Sequence, residues 1–232
     1  MLEVIEKPYT AHSVATIDGI EPERDMVQVT NSTYRDVGKR ILDVTLVLVG
    51  GVFLLPIMFI IGVLVSRDGG PALYSQKRVG IDGREFTFWK FRSMVVDSEE
   101  RLAQHLAESP EAALEWSVNQ KLRNDPRITP IGRIIRKTSI DELPQLWNIL
   151  KGDMSLVGPR PMMPQQRALY PGKAYFSMRP GLTGYWQVSE RNEVSFAERA
   201  KFDSDYWQDM SLATDISTLF RTVGAVVRGS GC

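Results

Sequence analysis

Between Arg136 and Pro161 the chain reads Arg-Lys-Thr-Ser-Ile-Asp-Glu-Leu-Pro-Gln and continues to Gly-Pro-Arg-Pro. Two adjacent carboxylates, Asp141 and Glu142, stand between Arg133, Arg136 and Lys137 on one side and Arg160 on the other. A carboxylate pair can hold a divalent metal or supply a nucleophile, and arginines are the preferred grip on phosphate. The combination points to phosphoryl chemistry. A second reading competes with it: Ser139-x-x-Glu142 matches a capping box, in which Glu142 caps a helix from Leu143 to Ile149 with Pro144 in its first turn. The two are compatible. A helix N-terminus favours an ionised Asp141 and an arriving phosphate alike, and the flanking arginines act in the same direction, so Asp141 is expected to stay a carboxylate.

The elements that position this pair begin with an apolar segment. From Val44 to Val65 no residue is charged and most are Leu, Ile, Val or Phe. Summed on the insertion scale, they favour the bilayer by roughly 5 to 10 kcal/mol. Soluble core helices seldom run this long without a polar face, so membrane insertion is expected. At ~1.5 Å per residue the segment reaches ~33 Å, enough to cross the hydrocarbon. Yet Pro56 near its middle bends a helix, and cations flank both ends: Arg35, Lys39 and Arg40 before, Arg67, Lys77 and Arg78 after. Crossing and re-entry therefore both stand. Asp43, one turn into the segment, needs a partner, expected in Lys39 or Arg40 on the same helix face.

Composition narrows the class. The chain has 232 residues with 28 Lys and Arg against 28 Asp and Glu, and zero net charge argues against a nucleic-acid partner. Its single cysteine is Cys232, so neither a disulfide framework nor a zinc cluster is available, which fits a reducing compartment. The N-terminus lacks a signal-peptide pattern, and residues 1–33 read as a poorly ordered tail. The expected division is tail 1–33, membrane helix 34–66 and an interfacial catalytic domain 67–232. The fold class is α+β, mainly helical.

Within the last part, Asp82-Gly83 between two alternating runs predicts a β-hairpin. Its second run puts Arg84, Phe86, Phe88, Lys90 and Arg92 on one face. Lys90 and Arg92 suit either a solvated strand end or a role facing the interface or a phosphate. Residues 97–122 predict two exposed helices interrupted at Pro110, and Asn124–Pro130 a turn-rich link. Gly158-Pro-Arg-Pro161 holds a stiff, extended backbone around Arg160. Arg179-Pro-Gly-Leu-Thr-Gly184 predicts another rigid turn, either structural or shaping a pocket for the substrate's non-reacting part. The stripe Leu212, Ile216, Leu219, Phe220, Val223, Val226 and Val227 suits core packing or a helix in the membrane interface.

On these residues the chain resembles the bacterial sugar transferase family, the monotopic phosphoglycosyl transferases acting on polyprenol phosphate. The matching pieces cover about residues 34 to 228: Lys39-Arg40-x-x-Asp43, the apolar helix with Pro56, Gln76-x-Arg78-x-Gly80, Lys90-Phe-Arg-Ser-Met94, Asp141-Glu-Leu-Pro-Gln145, Gly158-Pro-Arg-Pro161 and Arg179-Pro-Gly-x-Thr-Gly184. The short chain with one apolar segment looks most like the exopolysaccharide branch that transfers galactose phosphate or glucose phosphate.

The resemblance implies that a UDP-sugar gives its sugar-1-phosphate to undecaprenyl phosphate and releases UMP through a phospho-aspartyl intermediate. Asp141 is then the nucleophile and Glu142 a metal or positioning ligand, with Mg²⁺ at the same pair. Arg136 and Arg160 grip phosphate, with Arg78, Lys90 and Arg92 as further phosphate-facing candidates. Lys39, Arg40, Asp43 and Pro56 become membrane-interface or lipid-phosphate candidates. The apolar segment becomes re-entrant, bent at Pro56, with Leu55 where many members carry a polar residue. It implies the cytoplasmic face of a bacterial inner membrane, with the lipid bilayer as partner and a homo-oligomer compatible. Two other readings remain: a glycosyltransferase that releases UDP, and a membrane-anchored scaffold of a polysaccharide assembly complex.

Overall fold

The computed structural model describes residues 33–119, 122–189 and 197–227. All of the expected tail except Thr33 lies outside them, as does Cys232. A wide helical turn, Tyr34–Gly38, runs into α1 (Lys39–Val65), which is apolar throughout its middle and contains Pro56. The helix continues through that proline, although Pro56 has no N–H for the helical ladder. By length and composition it could cross a membrane.

A hairpin follows. Strands β1 (Leu73–Val79) and β2 (Glu85–Phe91) pair antiparallel, with Leu73 opposite Phe91 and Val79 opposite Glu85. The Asp82-Gly83 turn forms as expected; both residues have positive φ, 57° and 73°. Side chains alternate across β2, so Phe86 and Phe88 enter one core while Phe91 enters another on the opposite face. Helices α2 (Ser98–Glu108) and α3 (Pro110–Asn119) form the expected exposed pair, the second opening on Pro110. Then α4 (Pro130–Lys137) begins at a capping Thr129, whose hydroxyl accepts from Gly132 N. A short 3₁₀ turn, Ile140–Glu142, leads to α5 (Gln145–Lys151).

The two proline motifs meet. Strand β3 (Ser155–Val157), leading into Gly158-Pro-Arg-Pro161, runs parallel to β4 (Gly181–Thr183). The expected rigid turn at 179–184 is therefore partly a strand, Gly181–Thr183. Gly158 N donates to Thr183 O at 2.8 Å and Gly181 N to Pro159 O at 2.8 Å. The approach needs glycine on both sides: a Cβ on Gly158 would lie 2.4 Å from Arg179 O, and one on Gly181 would lie 2.2 Å from Gly158 N. Helices α6 (Tyr185–Val188), α7 (Arg199–Asp209) and α8 (Leu212–Val227) complete the fold. On α8, Leu219 packs against the main core while Phe220, Val223 and Val226 are exposed.

Helix α1 rests on this domain near both of its ends. Near its start Val47 joins the core of Phe86, Phe88, Ile149 and Tyr206. At its end Val65, with Met58 and Ile61, joins Phe91 and Ile135. Between them Val52, Phe53 and Leu55 project away, Phe53 at 73% exposure, and a Cβ on Gly51 would touch nothing.

Candidate active site

Asp141 and Glu142 lie on the 3₁₀ turn between α4 and α5. Ser139 before them adopts the left-handed conformation, φ 55°, and its side chain makes no capping hydrogen bond. The capping box therefore does not form. With Ser139 in that conformation and Pro144 at the N-cap of α5, the helix starts two residues later than expected, at Gln145. Glu142 turns to Lys90 instead, whose Nζ donates to Glu142 Oε1 at 2.9 Å and lies 3.5 Å from Asp141 Oδ2. One cation thus bridges both acids.

Asp141 is buried, at 8% exposure. Burial pushes its carboxyl above the usual range; the Lys90 and Arg136 charges pull it back, while the Glu142 carboxylate adds to the rise. The expectation that flanking arginines would hold it low is corrected here, because desolvation outweighs them.

Lys90 is placed by Asn148, a fully buried residue on α5 whose amide completes the β2 backbone from the side. Its Nδ2 donates to Thr87 O at 2.7 Å and its Oδ1 accepts from Trp89 N at 3.3 Å. The helix that follows the acids is thereby fixed to the strand that carries their counter-ion.

Across from them, Arg78 leaves β1, donates to Pro161 O and Gln76 Oε1, and lies over the Phe88 ring. Burial first, then the like charge of Arg160, lowers the Arg78 pKa. Arg160 itself is exposed and lies over the Trp186 ring, whose near neighbour is Arg199 at 4.0 Å. One cleft is lined by Arg78, Lys90, Glu142, Gln145, Arg160 and Gln187, with Phe88 and Leu182 beneath. Three cations gathered beside a carboxylate suit a multiply charged anion. The acid pair also suits a hard divalent cation, which commonly binds through one or two carboxylates plus substrate phosphates. Among the described residues no group of three or more His, Cys, Asp or Glu offers a self-contained cage.

Five other candidates stand elsewhere. Arg92 is buried and spends its guanidinium on Asp68 (2.5 and 2.7 Å), Val65 O, Pro71 O and Met94 O. It clamps the exit of α1 to the end of β2, which leaves it no phosphate-facing donor. Lys39 pairs with Asp215 at 2.6 Å and donates to Tyr206 OH, so it does not pair with Asp43 as expected. Asp43 instead accepts from Leu156 N, at the start of the parallel ribbon. Arg40 donates to Ile149 O and Leu150 O, capping the C-terminus of α5. These three side chains bind α1 to the domain that follows it. Pro56 lies in the projecting part of α1, remote from the acids' cleft.

Several cleft residues were not singled out by sequence. Gln145 closes the motif Asp141-Glu-Leu-Pro-Gln145, which is the signal that could have found it, whereas Gln187 lies three residues beyond the motif that ends at Gly184. Arg199 and buried Asp203 lie on α7, whose sequence reads as a solvated helix and gives no such signal. Together with Arg160, Met162, Tyr170 and Trp186 they line a compartment beside the cleft.

The chain is 49% identical over 212 residues to the UDP-galactose-lipid carrier transferase of Erwinia amylovora, covering 89% of this chain and 44% of that protein. It is 48% identical over 195 residues to the undecaprenyl-phosphate galactose phosphotransferase of Salmonella typhimurium LT2, covering 83% and 41%. With exopolysaccharide production protein ExoY of Rhizobium meliloti it shares 43% over 196 residues, 83% of this chain and 87% of that one. It thus spans less than half of the first two and most of the third. Residues 34–229 match the family described as bacterial sugar transferase, and the chain belongs to that family.

Proposed function

We propose that the chain is a phosphoglycosyl transferase that moves galactose-1-phosphate or glucose-1-phosphate from a UDP-sugar to undecaprenyl phosphate, releasing UMP. The observation that carries this reading is the Lys90-bridged pair Asp141 and Glu142, whose Lys90 and Glu142 line a cleft walled by Arg78 and Arg160. The relatives' names agree with an undecaprenyl-phosphate acceptor and a galactose donor.

In the proposed reaction an Asp141 carboxylate oxygen attacks the β-phosphorus of the donor. The bond from that phosphorus to the bridging oxygen breaks, and UMP leaves with the electron pair. An oxygen of the lipid phosphate then attacks the same phosphorus and returns Asp141 to a free carboxylate. Arg78, Lys90 and Arg160 offset the donor's charge, which would otherwise repel an attacking carboxylate. Asp141 and Glu142 would hold Mg²⁺ together with the substrate phosphates, and that ion supplies Lewis-acid charge neutralisation. Burial serves the nucleophile, since a desolvated carboxylate with a raised pKa is more basic than a hydrated one.

The segment α1 supports a re-entrant arrangement at the cytoplasmic face of the inner membrane. Residues near both ends of α1 pack on the same domain, which favours re-entry over crossing. Its exposed middle, Val52 to Ile57, is what would dip into hydrocarbon. That arrangement keeps the acids near the headgroup plane, where a lipid phosphate must be met.

Product analysis tests the reading. Purified protein in nanodiscs with undecaprenyl phosphate and UDP-galactose or UDP-glucose is expected to release UMP and form a lipid diphosphate sugar. Release of UDP would assign it to ordinary glycosyl transfer, and no turnover with any UDP-hexose would leave a scaffold.

A further inference from the structure

Gln145, the first residue of α5, lines the cleft three positions beyond Glu142. It is 2% exposed, and its amide Nε2 is sealed from solvent with no hydrogen-bond partner among the described residues. Buried amide donors are nearly always satisfied, because an unbonded one forfeits its hydration without return. The Nε atom of Arg78, on the same cleft, is likewise buried and unbonded. Two residues with unbonded donors thus line one cleft whose other walls carry Lys90 and Arg160. Donors set among cations suit a ligand rich in acceptors.

We infer that Gln145 is a substrate-contacting residue: its Nε2 donates to a phosphoryl oxygen of the bound diphosphate. The inference rests on the phosphoglycosyl transferase reading and extends it. A phosphoryl oxygen accepts without donating, which matches an NH₂ group that donates without accepting. Glu142 lies on the turn just before Gln145, so the contact falls close to the phosphorus that Asp141 would attack. The cost of leaving that donor unbonded is offset when the anion arrives.

Thermal shift of the purified protein in detergent, with Mg²⁺ and either UDP-galactose or inorganic pyrophosphate, tests this. Gln145→Met keeps the length of the side chain and removes its polar end. Without ligand it should melt at or above the wild-type temperature, since a buried unbonded donor is gone. Its apparent Kd for both probes should rise about ten- to hundredfold, the range for a hydrogen bond to a charged group. Gln145→Glu places an anion there, and should fold yet lose both shifts. Three results overturn the inference: a lower ligand-free melting temperature for Gln145→Met with unchanged binding, a loss confined to UDP-galactose, or no stabilisation of the wild type by either probe. UMP release by the wild type is measured separately, so failure of the Gln145 contact is distinct from failure of the reaction itself.

Discussion

Lys90 Nζ stands 2.9 Å from Glu142 Oε1, joining the end of a β-hairpin to a turn 52 residues further along the chain. That contact converts two neighbouring acids of unequal burial into a unit with one shared cation. Its consequence is chemical. Asp141 is pushed towards its neutral form by burial and by Glu142, and Lys90 is the first group opposing both.

Replacing Lys90 therefore changes the pH dependence as well as the rate. In Lys90→Met the Asp141 carboxyl should rise further, so the acidic limb of kcat against pH moves to higher pH. Turnover at neutral pH should fall at least about a hundredfold. Transfer assays across pH check both. An unshifted limb would limit Lys90 to substrate binding.

Asp141→Asn should lose turnover while remaining folded, with a melting temperature at neutral pH equal to or above wild type. The sign follows from linkage. A carboxyl whose folded pKa is raised adds stability below its unfolded pKa and loses it as pH rises through the folded pKa, so at neutral pH its charge is a burden. The gap between variant and wild type should close on acidification. Melting curves from neutral pH into the carboxylate range measure it.

Asp203 offers the same test remote from the acids. Burial pushes its carboxyl up to about 7, against the opposing pull of Tyr170 and Arg199. Its stabilisation is complete below about 4 and vanishes as pH rises through about 7, with a slope of at most about 1.4 kcal/mol per pH unit. Asp203→Asn should flatten the stability profile between those values. A slope unchanged from wild type would locate the titration elsewhere.

The clamp at the exit of α1 makes a mechanical prediction. Arg92→Ala takes the side-chain donor from the buried Val65 carbonyl and the ion-pair partner from the exposed Asp68, and should destabilise by about 1 to 3 kcal/mol. Arg92→Lys should not rescue it, because one ammonium cannot span Asp68, Pro71, Val65 and Met94. Denaturant melts in detergent check the loss. An unchanged stability with a raised donor KM would return Arg92 to phosphate binding.

The hairpin, the exposed helix pair, the apolar segment and the acid pair were all legible because each is a local pattern. What was not legible depends on contacts distant in sequence. Lys39 and Asp43 share a helix face and suggest one another, yet Asp215 and Leu156 N take them, more than a hundred residues away. Arg92 reads like Lys90, two positions along the same strand, but the chain exit wraps it in carbonyls. The Ser139-x-x-Glu142 pattern was sound locally and failed because Ser139 adopts a left-handed conformation, freeing Glu142 for Lys90. Gln145 was visible as part of a motif; its orphaned donor exists only once α5 is packed.

Topology is testable by labelling. With Cys232 replaced by Ser, Thr33→Cys and Arg221→Cys should both be protected from an impermeant thiol reagent in intact cells and both react in inverted vesicles. Labelling of Thr33→Cys alone from outside would require α1 to cross the bilayer.

The identity of the nucleophile is tested most directly by trapping. Protein mixed with a UDP-hexose in the absence of lipid acceptor, quenched and digested, should carry hexose phosphate on the carboxyl of Asp141, in step with a stoichiometric burst of UMP. An adduct on Glu142, or transfer to lipid with no adduct and no burst, would contradict the account.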